Sequence, residues 1–401
     1  ECVPEACGTG TWGDLQTDGD TIYVDASAEA GGDGSKDRPF TVIQEGLDAQ
    51  GEDGMVAVAA GTYVENLQMN SDHSGVHLAG RCMELVTIDG SEGDEENWET
   101  GSGIYLNGRL TTTWTVSGVT VTESPWVGIF NEYGALLLAR SSVTENRVRG
   151  INTEGGSLTA TDCVVQGNHG IGVSLFDSTV TLEGVQVLDT QPDASGWSGR
   201  GIAVQYGSLA ATACLLQGNH DVGLFVYGSS ATLQDVQIVE TRPGSNGQIG
   251  VGVAIQDHST LEATDCVVRG NHDMGLFIAG SSATLHGVQV LETRRDTLST
   301  AAIGVGAQAE STVMATNLDV QNTDGPALYA VANALLSCTN CTLTDNAFAG
   351  AVVQLGGELS LEASLIEGTV PGSSAGAGLG VFVDGKKSIT YGLPTVTLLD
   401  S

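Results

Sequence analysis

The sequence predicts an all-β fold, a solenoid of stacked, equivalent coils. Three observations predict it. A short segment is written three times, as TATDCVVQGNH at 159–169, TACLLQGNH at 212–220 and TDCVVRGNH at 264–272, with VQVLDT (185–190), VQIVET (236–241) and VQVLET (288–293) between the copies. The polar residue closing each run recurs in steps of 22 residues alternating with steps of 29 or 30, a period typical of solenoids. Composition agrees: 56 of 401 residues are Gly and only 5% are aromatic, which favours short strands and tight turns over helices.

The recurring polar residue defines a ladder. It comprises Ser124, Asn146, Asn168, Thr190, Asn219, Thr241, Asn271, Thr293, Asn322, Asn346, Thr369 and Ser401, with Ser91 upstream. Stacked Asn side chains are expected to hydrogen-bond to one another along it. In the coil from Ser157, inward positions fall to Leu158 and Ala160, then Cys163 and Val165, then Ile171, Val173 and Leu175. The most regular region, 157–311, consists of double coils.

In chain order, residues 1–20 form a Gly/Asp-rich extension containing Cys2 and Cys7, whose proximity suggests a local disulfide. A single domain is expected over 21–401, starting with a strand at 21–25. The one helix signal follows near 41–49: Thr41 and Gln44 have the spacing of a capping box, and Ile43 and Leu47 share a face. A short helix there would cover the open end of the strand stack. The segments IYVD (22–25), GDGSKDRPFTVIQEGLDA (32–49), VAVAAGTYVENL (56–67) and GVHLAGR (75–81) resemble the opening segment of right-handed parallel β-helix proteins of the pectate-lyase-like superfamily. The resemblance implies a right-handed parallel β-helix of about a dozen coils with a short N-terminal capping helix. That superfamily contains lyases, hydrolases, epimerases, adhesins and proteins without known activity, so fold alone does not give function.

Net charge is −35, from 49 Asp+Glu against 14 Lys+Arg, a surface that repels nucleic acid. No apolar run is long enough for a membrane span, so direct insertion is not expected. Eight cysteines lean towards an extracellular, cell-surface or periplasmic setting. Cys338 and Cys341 can pair or bind metal. Cys163, Cys214 and Cys266 share a register two coils apart, too far to bridge, and are read as buried small hydrophobes.

Several residues could carry function. The position after the ladder reads Arg147, His169, Gln191, His220, Arg242, His272 and Arg294, a basic stripe suited to carboxylate or sulfate groups of an extended glycan. The acids Glu145, Asp189, Glu240 and Glu292 lie two residues before and can neutralise it. Insertions at 191–200, 242–250 and 294–302 share one phase, and Trp197 in the first is a further binding candidate. The acidic stretch 89–103 reads as a solvated loop, with Asp94, Glu95 and Glu96 as weak calcium ligands and no EF-hand spacing. Trp98, Trp114, Trp126 and Tyr133 gather in sequence near it. NTDG at 322–325 resembles a catalytic segment of polygalacturonase-type β-helix hydrolases, but no complete catalytic set accompanies it.

The reading is a structural or adhesive protein presenting a repetitive face to glycans or to a neighbouring subunit, with no complete catalytic constellation in the sequence. Calcium is the one cofactor the residues could serve. The first alternative is a polysaccharide lyase or glycoside hydrolase acting on an acidic polysaccharide. The second is a subunit of a surface filament, suggested by the ladder residue Ser401 at the end of the sequence.

Overall fold

A computed structural model describes residues 7–196, 198–244, 250–295, 302–371, 378–384 and 394–400. It forms two compact units, Glu1–Gln186 and Val187–Ser401. Each unit is built from coils of three strands, and every strand pairs in parallel with its equivalent one coil on, as Leu136 does with Leu158 and Val143 with Val165. We call the three strand positions of a coil sheets I, II and III in chain order. In the first unit, Ser157–Thr161, Val164–Gln166 and Ile171–Phe176 make one such coil. In the second, Ser230–Gln234, Gln237–Val239 and Gly250–Gln256 make another. The described strands number fifteen, thirteen and thirteen in the three positions. No described helix is long and apolar enough to cross a membrane.

Alternation explains the core. Leu158, Ala160, Cys163, Val165, Val173 and Leu175 are all buried, each packing on its in-register neighbour above and below. Ile171 is only half-buried. The inward place at the start of sheet III belongs instead to a glycine column, Gly150 and Gly172 here and Gly223, Gly252 and Gly275 in the second unit. At Gly252 a Cβ would stand 2.9 Å from Asn271 Nδ2 and 2.6 Å from the Gly275 carbonyl oxygen. Only glycine leaves room there for the ladder side chain.

The ladder lies between sheets II and III. Ser124, Asn146 and Asn168 in the first unit, and Thr190, Asn219, Thr241, Asn271, Thr293 and Asn346 in the second, are buried. Its chemistry differs from the expected amide-to-amide chain. Asn146 Nδ2 donates to a neighbouring ladder amide, Asn168 Oδ1, at 2.8 Å, but this bond does not recur among the described residues. The recurrent bond runs to the backbone: Oδ1 of Asn146, Asn219, Asn271 and Asn346 accepts the ladder N–H one coil earlier at 2.9–3.0 Å. Nδ2 of Asn168, Asn219, Asn271 and Asn346 donates to a carbonyl of that earlier coil at 2.7–3.0 Å. Asn–Thr alternation separates the amides, so each binds main chain instead.

Asn322 is not on the ladder. It is exposed, with φ of 55°, and Thr323 is buried at 2% exposure, its N–H donated to Asn346 Oδ1 at 3.0 Å. From Ser124 onward a left-handed residue precedes each described ladder residue, Glu145, Asp189, Glu240 and Glu292 among them, and Asn322 takes that role. Thr369 is half-buried and Ser91 is exposed. Asn66, overlooked in the sequence, holds the ladder position of an early coil and donates to the Gly90 and Ser102 carbonyls at 3.0 Å each. Ser401 lies outside the described residues.

A second ladder, of serines, runs between sheets III and I. Hydroxyls of Ser229, Ser259, Ser281 and Ser311 accept main-chain N–H groups of Gly207, Ser229, Ser259 and Ser281 at 3.1–3.4 Å. Ser-Ser or Ser-Thr at 229–230, 259–260, 281–282 and 311–312 marks it in the sequence.

The helix forms at Ile43–Gln50 and buries Ile43 and Leu47, but its cap differs from the expected one. Val42 occupies the N-cap without a side-chain bond. Glu65 instead accepts the N–H groups of Ile43 and Gln44 at 2.8 and 3.0 Å. Gln44 is drawn across to the Gln68 main chain, giving Nε2 to its carbonyl at 3.2 Å and accepting its N–H at 2.9 Å. The N-terminal extension docks on the first unit through a Cys7–Cys82 disulfide, which excludes the local Cys2–Cys7 pairing; Cys2 lies outside the described residues. Cys338 and Cys341 pair with each other, and Cys163, Cys214 and Cys266 are buried thiols outside these disulfides.

Candidate functional site

The basic stripe is assembled, but its charges are spent. His220 pairs in parallel with Arg242, and His272 with Arg294. Arg242 reaches Asp189 at 3.6 Å and Arg294 reaches Glu292 at 3.6 Å. In the first unit Arg147 turns to Glu95 at 2.6 Å, not to Glu145. His169 and Gln191 are half-buried. His220 gives Nδ1–H to the Thr190 carbonyl at 2.9 Å. Returning loops close over the histidines, since a Cβ on Gly199 or Gly250 would lie 2.5 or 2.6 Å from Cβ of His220 or His272. The stripe reads as packing and local charge pairing. Trp197 and the loop segments 245–249 and 296–301 lie outside the described residues.

The acidic stretch is not a free loop. Asn97 caps a short helix, Trp98–Gly101. Trp126 Nε1 donates to the Glu95 carbonyl at 2.9 Å, Gln68 Nε2 to the Glu99 carbonyl at 2.8 Å, and Ser102 Oγ to the Trp98 carbonyl at 2.7 Å. Asp94, Glu95 and Glu96 do not converge as ligands. Among the described residues, the one group of three metal-type donors within 4.8 Å of one another is Cys7, Cys82 and Glu84, and its two cysteines form a disulfide.

That pinned segment lays Trp98 on the outer face of sheet III in the first unit. Its ring sits 5.3 Å from Tyr105 and 5.1 Å from Phe130, and those two rings are 5.7 Å apart. Trp126 packs against the same group. Trp98 remains 37% exposed, whereas Trp114 is wholly buried. Tyr133, 51% exposed, stands at the strand's end with φ of 64°. The sequence cluster of four aromatics therefore divides into surface and core.

Polar groups border the aromatic surface. Tyr105 gives its hydroxyl hydrogen to Glu132 Oε2 at 2.5 Å, and Asn107 Nδ2 donates to the Tyr105 hydroxyl at 2.7 Å. Burial and the Glu132 carboxylate hold the phenol well above its ordinary pKa, so it stays a donor. Glu132 pairs in register with Glu154 on the next strand. Glu154 accepts from Asn152 Nδ2 at 2.9 Å and lies 4.0 Å from Arg149. Beside Tyr105 is a shallow depression lined by Gln68, Asn70, Ser71, Asp72 and Asn107. Tyr105 and Phe130 are buried beneath Trp98, at 4% and 6% exposure, so the exposed Trp98 face, next to fixed donors and acceptors, is the surface that suits a ring apolar on its faces and polar at its rim. The sequence showed the aromatics but not Glu132, Glu154 or Asn107, which only stacking brings together.

No curated protein matches the sequence. Among solved structures, the pectate lyase Pel9A is 16% identical with a TM-score of 0.47, over 73% of this chain and 74% of that one. The catalytic unit of a thermostable GH87 α-1,3-glucanase from Streptomyces thermodiastaticus is 13% identical with a TM-score of 0.39, over 97% and 69%. The Agl-KA catalytic domain is 10% identical with a TM-score of 0.47, over 90% and 68%. No activity is carried over from them. The family described as "Right handed beta helix region" matches residues 55–234 and 102–292, together more than half of the sequence, and the chain belongs to that family.

Proposed function

We propose that this chain is an exported, structural β-helix with an adhesive role that binds glycan through the aromatic face of its first unit. One observation carries the reading: Trp98, 37% exposed, lies over the buried rings of Tyr105 and Phe130, beside the Tyr105–Glu132–Asn107 network. Two disulfides support an oxidising, extracellular or periplasmic setting. The net charge of −35 favours an uncharged sugar over a uronate or sulfated one, and the paired arginines of the stripe leave little to attract an anion. The experiment is calorimetric titration with neutral and anionic hexasaccharides. Trp98→Ala is expected to weaken binding of a neutral hexasaccharide about tenfold, measured well below the variant's own unfolding midpoint. Unchanged affinity in that variant rejects the reading.

A second reading, polysaccharide hydrolysis, rests on Glu132 and Glu154. They are register partners, about 4.8 Å apart at the backbone by strand spacing, near the carboxyl separation of about 5–5.5 Å used by retaining glycosidases. Release of reducing ends by the purified protein, abolished in Glu132→Gln, would establish it. Absence of release from every neutral polysaccharide bound would remove it.

A further inference from the structure

The outer face of sheet III in the second unit carries a different arrangement, unused by the site above. One outward column reads Ala203, Phe225, Ala254, Phe277, Gly306 and Tyr329 in direct register. Aromatic rings recur every second coil, about 9.6 Å apart by strand spacing, with a small residue between them. The parallel column reads Gln205, Tyr227 and Gln256. Tyr227 lies 5.8 Å from Tyr206, edge to face, and 6.3 Å from Phe225, nearly parallel. Arg200 covers Phe225 at 4.1 Å and pairs with Asp221 at 3.0 Å, fixing the floor of the patch.

Tyr206 is the informative member. It is 52% exposed and holds φ of 54°, a left-handed conformation costly for a bulky residue. Equivalent corners one and two coils on carry Gly228 and Asp257, residues that adopt it more readily. The Tyr206 ring lies over Gly228, where a Cβ would come within 3.0 Å of it. Asp257 stands against the Tyr227 hydroxyl and, as the leading cause, raises its pKa. The ring of Tyr206 packs on Tyr227 and Gly228 and still leaves 52% of the residue exposed. It offers a ring face beside two Gln amides, a phenol and a carboxylate.

We propose that Gln205, Tyr206, Tyr227, Gln256 and Asp257, beside Phe225, form a second glycan platform that takes an extended, uncharged polysaccharide. The Tyr206 ring and the Tyr227 phenol lie one coil apart, about 4.8 Å by strand spacing, and the Gln205 and Gln256 amides on either side of Tyr227 in its column can meet sugar hydroxyls at the rim. Asp221, Asp257 and the net charge of −35 disfavour polyanions and also disfavour a second copy of this chain. The platform stands whether or not the first unit binds sugar.

The test uses the full chain bearing Trp98→Ala, titrated with cellohexaose, xylohexaose and mannohexaose, with hexagalacturonate as the charged control. At least one neutral hexaose is expected to bind, and adding Tyr227→Ala to weaken it about tenfold. Adding Tyr206→Gly should weaken binding while the unfolding midpoint holds or rises, because glycine relieves the left-handed backbone. The proposal is overturned if no neutral hexaose binds the Trp98→Ala protein. It is equally overturned if hexagalacturonate binds as tightly as the neutral sugars, or if Tyr206→Gly lowers the midpoint and leaves affinity unchanged, the signature of a purely structural tyrosine.

Discussion

Asn271 completes the coil before its own: its Oδ1 accepts the Thr241 N–H at 2.9 Å while its Nδ2 donates to the Ile238 carbonyl at 3.0 Å. The Thr241 N–H sits at a buried corner between strands, where a side chain must serve it. Asn271→Ala strands that group, at about 1–3 kcal/mol. That loss is expected in chemical denaturation, with faster hydrogen exchange at the Thr241 amide than at strand amides such as Val239. Asn271→Ala with unchanged exchange at Thr241 would refute this account of the ladder.

The glycine under that amide is as constrained as the amide itself. Gly252→Ala would set a Cβ 2.7 Å from Val268 Cγ1 as well as against Asn271 and the Gly275 carbonyl. A main-chain oxygen cannot rotate aside, so the coils must separate. The expected cost is about 1–3 kcal/mol, the range for overpacking. Gly306→Ala in the same sheet, where the nearest atom would lie at 3.5 Å, should cost far less. Equal midpoints for the two variants would contradict the argument.

Much of this was readable in the sequence, and the misreadings have physical causes. The coil period and most ladder residues follow from spacing, because a buried corner tolerates few side chains. Asn322 fits the ladder pattern by residue type alone, because Asn, Ser and Thr all suit it. Aligning instead on the left-handed residue that precedes each rung (Glu145, Gly167, Asp189, Gly218 and their equivalents) places Thr323 on the ladder. The Cys7–Cys82 bond and the capping of Ile43 by Glu65 join residues 75 and 22 positions apart. No local pattern announces such contacts. The candidate glycan site was visible only as a run of tryptophans, since Glu132 and Glu154 become neighbours through coil stacking.

Glu65 is therefore expected to matter more than Thr41 to the capping helix. Its two carboxylate oxygens take the two free N–H groups of Ile43 and Gln44, and its charge faces the positive end of the helix dipole. Glu65→Gln keeps one acceptor and loses the charge, an expected cost of about 1 kcal/mol. Thr41→Ala should be nearly neutral. Exchange rates at the Ile43 and Gln44 amides check both, and a larger effect from Thr41→Ala would restore the local capping box.

His77 makes stability depend on pH. Burial first, and Arg140 second, lower its pKa below the ordinary value of 6.5, while Nε2 lies 2.7 Å from Ser117 Oγ. The folded state thus binds the proton less readily than the unfolded chain. Its contribution is fully present above about pH 6.5 and falls as the pH drops through that value towards the folded pKa, because the unfolded state then carries the extra proton. His77→Gln keeps a polar side chain at the site and cannot titrate there. Midpoints measured from pH 7.5 to 5 should fall less steeply in His77→Gln than in the parent. Superimposable slopes would mean that His77 titrates alike in both states and that its burial has no energetic consequence.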